Sequence, residues 1–148
     1  MAFNVLIVDD SETMRAVIKK TVLMSGVQIG EFCEAGNGRV ALQILEDRWI
    51  DVVLTDINMP VMGGVDFLRE VKKIEVLRDV PVIFISTESS QARQDEVLSL
   101  GAAAYIKKPF MPEKIRVVLL KVLTDAYATR MVEEGVGATP VLECEVDF

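Results

Sequence analysis

The sequence predicts an α/β fold, a doubly wound, five-stranded parallel sheet with five helices. Apolar runs alternate with segments of helical periodicity five times along the chain, several runs are almost wholly apolar, and turn-forming residues separate them. Such continuous apolar strands are typical of parallel sheets that helices cover on both faces. A chain of 148 residues is long enough to form one such domain.

The composition of each predicted strand justifies its place in the sheet. The first strand, residues 3–8, is a near-continuous apolar run, whereas the second, residues 27–35, is more polar. The third and fourth, residues 51–55 and 80–86, are again largely apolar, and the fifth, residues 103–107, is short. Strands 1, 3 and 4 therefore belong in the middle of the sheet and strand 2 at an edge, which favours the flavodoxin-like order 2-1-3-4-5.

Each predicted helix is justified by apolar residues that recur every three or four positions. In chain order, the five apolar faces carry Met14, Val17, Ile18, Thr21 and Val22; Val40, Ala41, Ile44 and Leu45; Phe67, Leu68, Val71 and Ile74; Val97 and Leu100; and Ile115, Val118, Leu119 and Val122. Ser25-Gly26 and Gly101 end the first and fourth helices, and Pro112 suits the first position of the fifth.

Composition excludes several classes of function. The net charge of −7 argues against sequence-independent binding of nucleic acid, which needs a basic surface. No apolar run approaches the ~20 residues of a membrane span, and no cleavable signal pattern begins the chain, so we expect a cytoplasmic protein that contacts no membrane. Cys33 and Cys144 lie far apart in sequence, and reduced thiols are expected.

The chain contains no histidine, which excludes Ser-His and Cys-His nucleophile pairs and metal sites built on imidazole. Polar residues instead follow the predicted central strands: Asp9 and Asp10, Asp56 and Asn58, Ser86 and Thr87, and Lys107 and Lys108. The carboxyl ends of parallel strands share one edge of the sheet, so these residues are expected to meet there. Close carboxylates repel unless a cation joins them, and oxygen ligands without histidine favour Mg²⁺ over Ca²⁺.

Taken singly, these residues have plainer interpretations. Asp9, Asp10 and Ser11 suit a helix N-terminus, Ser86 suits a turn, and Lys108 suits an exposed surface. Only their joint placement at successive strand ends favours a functional site.

Four stretches resemble one known family. They are "LIVDDSETMR" (6–15), "LTDINMPVMGG" (54–64), "VPVIFIST" (80–87) and "AAYIKKPF" (103–110). Their order and spacing resemble those of the response-regulator receiver domain of two-component signalling, especially the single-domain chemotaxis type. The resemblance covers about residues 3–124, so residues 1–124 are expected to form the receiver domain.

The resemblance implies roles for the residues at this edge of the sheet, here called the rim: Asp9, Asp10, Asp56, Asn58, Ser86 and Lys108. Asp56 is implied as the phosphoacceptor, which takes a phosphoryl group from a sensor histidine kinase or a phosphotransfer protein. Mg²⁺ is implied to bind Asp10 directly, Asp9 largely through a water, Asp56, and the backbone carbonyl of Asn58. Lys108 is implied to pair with the carboxylate and then with the acyl phosphate as a point charge.

The resemblance also implies a conformational switch. The hydroxyl group of Ser86 is implied to move toward the phosphoryl group, and Tyr105 to turn inward into the space left behind. A downstream protein target is implied to bind the face formed by helix 4, strand 5 and helix 5. Similar domains usually have a cis peptide bond at the position of Lys108-Pro109.

The implied protein is a phosphorylation-dependent switch and not an enzyme, since it catalyses only its own phosphorylation and dephosphorylation. Two alternatives remain open. An aspartate-nucleophile, Mg²⁺-dependent phosphatase of the haloacid dehalogenase type would need a second aspartate two residues after Asp9, where this chain has Ser11. A flavodoxin-like electron carrier would need a phosphate loop after strand 1, where two aspartates would repel the phosphate. A degenerate receiver used only for protein contacts is disfavoured by the complete set of acids.

Three positions depart from the family pattern. Gly63 replaces a common acidic or amide residue, so a looser loop after Asp56 is expected, without loss of chemistry. Thr87 replaces a small residue and is expected to affect the lifetime of the phosphoryl group. Met111 occupies the predicted N-cap of the last helix, where Ser, Thr or Asp would contribute about 1 kcal/mol.

Residues 125–148 form a C-terminal extension that is too short for a DNA-binding domain. In its last seven residues, apolar and acidic side chains alternate, which is typical of a strand. Two alternatives stay open: a flexible acidic tail, or an extra strand that pairs with a sheet edge or forms a dimer with a second protomer.

Overall fold

All five predicted strands occur in the computed structural model, which describes residues 2–87 and 90–133. They are β1 (Phe3–Val8), β2 (Ile29–Ala35), β3 (Val52–Thr55), β4 (Val82–Ser86) and β5 (Ala104–Lys107). All the pairings are parallel, and the order is β2-β1-β3-β4-β5. The predicted fold class and strand order are therefore confirmed, with β2 at one edge.

Five helices alternate with the strands: α1 (Glu12–Met24), α2 (Gly38–Asp47), α3 (Gly64–Lys73), α4 (Gln91–Ser99) and α5 (Pro112–Glu133). Side chains that accept a backbone N–H begin three of them: Ser11 for α1, Asn37 for α2 and Ser90 for α4. Gly63 precedes α3 without a side-chain cap. Pro112 begins α5, as predicted.

The helices bury both faces of the sheet, because alternate residues of each strand point to opposite sides. On one face, Leu6 and Val53 pack with residues of α2, α3 and α4. On the other, Val5 and Leu54 pack with residues of α1 and α5. β1, β3 and β4 are covered on both sides, which explains their continuous apolar sequences.

Two details of the predicted helices are wrong. Val17 of α1 and Val40 of α2 were expected on the buried faces, but their side chains are 47% and 38% exposed. In α1 only Ile18 and Val22 are fully buried, so the buried stripe is narrower than the apolar stripe in the sequence. No described helix is long and apolar enough to cross a membrane.

The last helix continues beyond residue 124, the predicted end of the receiver domain. α5 runs to Glu133, with non-helical backbone angles at Tyr127. The phenol of Tyr127 donates a hydrogen bond of 2.6 Å to the backbone carbonyl of Asp51, just before β3. The start of the extension is thereby attached to the amino end of the sheet. The strand and the dimer predicted for the end of the extension lie outside the described residues.

Candidate functional site

Two aspartates lie directly beyond the carboxyl ends of neighbouring strands. Asp9 follows β1 and Asp56 follows β3. The backbone N–H of Asp9 donates to Ala35 at 3.0 Å, and that of Asp56 donates to Val8 at 3.0 Å. The parallel ladder therefore extends one residue past each strand and holds both aspartates side by side.

The three carboxylates that were predicted to meet do so. Asp9, Asp10 and Asp56 each offer an oxygen, and these oxygens lie within 4.8 Å of one another. Asp9 is buried, Asp56 is half-buried and Asp10 is exposed. The cluster therefore opens to solvent on the side of Asp10.

The ammonium group of Lys108, the residue directly after β5, reaches the same cluster. Its Nζ lies 3.5 Å from Asp9 Oδ2 and 3.8 Å from Asp56 Oδ2, and the side chain is 12% exposed. Its backbone N–H donates to the carbonyl of Ser86 at 2.9 Å. The Lys108-Pro109 peptide bond is cis, as the resemblance implied.

The charges of the cluster explain why it favours a cation. Burial raises the pKa of Asp9 above its usual range, and the nearby Asp56 charge adds to the rise, whereas the Ser11 backbone N–H and the Lys108 ammonium group oppose it. Three ionised carboxylates and one ammonium group leave two uncompensated negative charges. A divalent cation would neutralise that excess.

The donor set fits Mg²⁺. This ion takes oxygen ligands at about 2.0–2.1 Å, so two opposite ligands lie roughly 4.2 Å apart. The carboxylate oxygens of the cluster span up to 4.8 Å, and a small inward shift brings them into that range. Asn58, the predicted source of a carbonyl ligand, is exposed in the loop directly after Asp56.

The backbone around Asp56 fixes its side chain. Asp56 Oδ1 accepts a hydrogen bond of 2.7 Å from the N–H of Ile57. The N–H of Gly64 donates to the carbonyl of Ile57 at 2.8 Å, which closes the loop against the start of α3. A Cβ atom on Gly64 would lie 2.2 Å from the carbonyl oxygen of Asp56. Only glycine lets the loop approach so closely.

The same loop contains a strained turn. Val61 has a φ of +68°, the only positive value at a non-glycine position within the described residues. The N–H of Met62 donates to the carbonyl of Pro60 at 2.7 Å, so the three residues form a γ-turn with a left-handed centre. A β-branched residue is disfavoured in this conformation.

Replacing Val61 with asparagine is expected to raise the free energy of unfolding by about 1 kcal/mol, because asparagine tolerates a positive φ far better. Val61 is 75% exposed, so little packing is lost. Urea unfolding measures the change. Val61→Thr is the control: it keeps the β-branch and should leave stability unchanged. A gain of equal size in both variants would argue against backbone strain.

The two predicted switch residues lie on neighbouring strands. Ser86 is buried at the end of β4, and Tyr105 is half-buried on β5. Tyr105 pairs in register with Phe84, two residues before Ser86, and packs against the core on the side of α2, α3 and α4. Thr87 is exposed at the end of β4.

Arg15 is a residue of the site that the sequence reasoning missed. Its Nη1 donates to the backbone carbonyl of Asp9 at 2.6 Å, and its Nε pairs with Glu34 at 2.9 Å. Arg15 thus fixes the backbone at the acid pair. Its position one turn after the N-cap Ser11, on the helix that follows the acids, is a signal that could have identified it.

Comparison with known proteins agrees with this geometry. Residues 5–120 match the family of the response regulator receiver domain. The chemotaxis protein CheY1 of Helicobacter pylori is 38% identical over 121 residues, which cover 78% of this chain and 96% of that protein. The chemotaxis protein CheY of Thermotoga maritima is 36% identical over 122 residues, which cover 82% of this chain and 98% of that protein.

Solved structures agree as well. The chemotaxis protein CheY4 of Vibrio cholerae is similar with a TM-score of 0.72 and 32% identity, over 82% of this chain and 99% of that chain. A chain of the CheX–CheY–BeF₃–Mg²⁺ complex of Borrelia burgdorferi has a TM-score of 0.72 and 30% identity, over 81% of this chain and 88% of that chain. The family match spans most of the chain and includes every residue of the acidic rim. The chain therefore belongs to the response regulator receiver family.

Proposed function

We propose that this chain is a phosphorylation-dependent response regulator of chemotaxis that accepts a phosphoryl group on Asp56 from a histidine kinase or a phosphotransfer protein. The observation that carries the proposal is the convergence of three carboxylates and the Lys108 ammonium group at the carboxyl ends of the strands. The assignment to chemotaxis is supported by relatives that are themselves chemotaxis proteins.

In the proposed reaction, a carboxylate oxygen of Asp56 forms a bond to phosphorus while the phosphorus–nitrogen bond of a phosphohistidine breaks. The imidazole that leaves takes up a proton, and an aspartyl phosphate remains. The hydrogen bond from Ile57 holds the Asp56 carboxylate in one orientation, which lowers the entropic cost of attack. Lys108 lies close enough to pair with the new negative charge.

We assign the metal site to Asp9, Asp10, Asp56 and the backbone carbonyl of Asn58. Mg²⁺ bound there would neutralise charge on the transferred phosphoryl group. Asp10 is the exposed acid and is assigned as a direct ligand, whereas Asp9 is buried beside Lys108 and is assigned to act largely through a water. The same chain catalyses its own phosphorylation and dephosphorylation, and Thr87 at the open end of β4 influences the latter.

Mg²⁺ affinity is expected to fall as the pH is lowered, and to begin falling at a higher pH than ordinary aspartates would cause. The reason is that burial raises the pKa of Asp9, and the proton bound there must leave before the full negative charge can attract the cation. Calorimetric titration with Mg²⁺ at several pH values measures this. An Asp9→Asn variant is the control and should lose the early decline. Constant affinity down to the usual pKa range of aspartate would contradict the expectation.

The phosphoryl group adds about −1.5 to −2 charges to the rim. The Ser86 hydroxyl then moves to donate a hydrogen bond to it, and Tyr105 turns inward. This repacking changes the face formed by α4, β5 and α5. Leu98 in α4, Met111 just before α5 and Val117 in α5 are exposed apolar side chains of these elements, which supply contact area for a downstream protein target.

The experiment is incubation of the full chain with acetyl phosphate, with and without Mg²⁺. Intact mass is expected to gain one phosphoryl group only when Mg²⁺ is present, and hydroxylamine should remove it, since acyl phosphates react with that nucleophile. Beryllofluoride with Mg²⁺ is expected to shift the amide resonances of Ser86 and Tyr105. No gain of mass and no shift with beryllofluoride would refute the proposal.

The comparisons support neither alternative function. An aspartate-nucleophile phosphatase would hydrolyse an added phosphomonoester with turnover, whereas the proposed regulator modifies only itself. A flavodoxin-like electron carrier would bind flavin and give a coloured preparation. Both are distinguishable in the same sample by a phosphate-release assay and an absorption spectrum.

A further inference from the structure

An apolar pocket lies at the end of the sheet opposite the acidic rim. Its wall includes Ile50, just before β3, and Leu77 and Val80, just before β4. The pocket therefore opens at the amino ends of the strands, whereas the aspartates lie beyond the carboxyl ends. Its volume is about 190 Å³, below the roughly 300–1,000 Å³ of small-molecule sites, and suits one or two side chains of a peptide.

Large apolar side chains at the mouth of this pocket are exposed. Trp49 is 69% exposed and Val76 is 84% exposed, and both line it. The indole N–H of Trp49 donates to Asp51 Oδ1 at 2.9 Å, so the polar atom of the ring has a partner and the rest of the exposed ring is apolar. Exposed apolar surface arranged around a cavity indicates a contact site.

The C-terminal extension supplies one wall of the pocket. Tyr127 lines it and is hydrogen-bonded to Asp51, although the family match ends at residue 120. Glu133, the last described residue, is six positions further, about 9 Å along a helix. The described structure thus ends about 9 Å beyond a residue of the pocket wall, and a segment of fifteen residues, the length of 134–148, spans up to roughly 50 Å when extended.

The sequence at the end of the extension matches the pocket chemically. Its apolar residues alternate with acidic ones and are Leu142, Cys144, Val146 and Phe148. In an extended segment these four side chains share one face, and Glu143, Glu145 and Asp147 share the other. Such a segment has an apolar side for the pocket and a charged side for solvent.

Basic residues at the pocket add charge complementarity. Arg48 lines the pocket and forms an exposed ion pair with Glu31. Arg78 lies between two lining residues, is exposed, and forms no ion pair with any residue in 2–87 or 90–127. Asp79 also lines the pocket, and its negative charge repels an acidic segment. The apolar contacts are therefore the main contribution to binding, and the two arginines set the orientation of the bound segment.

We propose that residues 142–148 of the same chain dock in this pocket, with Val146 and Phe148, about 7 Å apart on one face of an extended segment, as the main apolar contacts. In this arrangement the extension contributes both Tyr127, in the wall of the pocket, and the segment that docks there. The extension then covers the amino end of the sheet. The rim and the face formed by α4, β5 and α5 then stay open for phosphorylation and for the partner.

The test uses Trp49, the only tryptophan of the chain, as a reporter in the full-length protein. A Val146→Ser/Phe148→Ser variant is expected to show Trp49 emission at longer wavelength and an acrylamide quenching constant on the order of twofold larger than the parent. Val141→Ser changes an apolar residue on the other face and is the matched control. It should behave like the parent.

A second variant tests the pocket from its own side. Val76→Lys places a charge at the mouth without disturbing the core, because Val76 is almost fully exposed. Amide exchange across 142–148 is expected to be slow in the parent, fast in Val76→Lys, and slow in Val117→Lys, a control at an exposed valine of α5.

Three results would overturn the proposal. Equal quenching in the parent and in the double variant would mean that the segment does not cover Trp49. An equal effect of Val141→Ser would contradict the assigned face. The third result is amide-exchange protection of 142–148 that disappears on dilution, while light scattering shows a dimer at high concentration. That result would mean that the segment in the pocket belongs to a second copy of the chain.

Discussion

Replacing Asp56 with asparagine is expected to abolish phosphorylation of this chain by acetyl phosphate and Mg²⁺. The amide keeps the shape of the side chain and can still accept the hydrogen bond from Ile57, but it lacks the ionised oxygen that attacks phosphorus. Asp9, the other carboxylate that pairs with Lys108, cannot replace it easily, because it is buried and bonded to Ser11 and Lys108. Intact mass spectrometry measures the outcome, and we expect complete loss.

An aspartate outside the rim provides the control. Asp66 lies in the first turn of α3 with a side chain that is 69% exposed, beside Arg69. Asp66→Asn makes the same chemical change and should be phosphorylated like the parent. If Asp56→Asn gained a phosphoryl group at the parental rate, the phosphoacceptor would be a different residue and the assignment of Asp56 would be wrong.

The fold was predictable because the apolar sequence patterns that indicate it extend along whole strands and helices. Helices cover β1 and β3 on both sides. The residues of these strands are therefore apolar, with the exceptions of Asn4 at the start of β1 and Thr55 at the end of β3. β2 lies at the edge of the sheet and pairs with only one neighbouring strand, so polar residues are tolerated in it. The meeting of the acids followed from the same topology, since the ends of parallel strands meet at one edge whatever the detailed packing.

Individual side-chain environments were less predictable. Asp9 and Asp10 are adjacent and chemically identical, yet one is buried and the other exposed. The difference arises from the Ser11 N–H and the Lys108 ammonium group, which fix Asp9 inward. Lys108 follows β5, almost a hundred positions along the chain from Asp9, and no local sequence pattern predicts a contact between residues so far apart.

The strained turn and the end of α5 were also beyond the sequence pattern. Pro60 predicts a turn, but residue type alone would not place a β-branched valine in the left-handed region at position 61. The receiver domain was expected to end at residue 124, where the resemblance to the family ends, whereas α5 runs on to Glu133. The hydrogen bond from Tyr127 to Asp51 stabilises the continuation through a tertiary contact, which overrides local periodicity.

Adding one methyl group at Gly64 is expected to damage both the stability and the chemistry of this protein. The Cβ atom of Gly64→Ala would lie 2.2 Å from the Asp56 carbonyl oxygen and 2.8 Å from Phe84 Cε2. Phe84 is fully buried, and the Asp56 backbone is hydrogen-bonded to β1. Neither can move away from the new methyl group without a further loss of stability. Overpacking of this kind costs about 1–3 kcal/mol or more, which urea unfolding will measure.

The chemistry should suffer beyond the loss of stability, because the clash is with the backbone of the nucleophile itself. A displacement of about 1 Å at a reacting group can slow a reaction on the order of a hundredfold. Gly36→Ala is the matched control, since its Cβ would meet nothing closer than Arg15 at 3.9 Å. At urea concentrations where both variants stay folded, Gly64→Ala should accept phosphate slowly and Gly36→Ala at the parental rate. Parental rates in both would mean that the Gly64 contact does not set the position of Asp56.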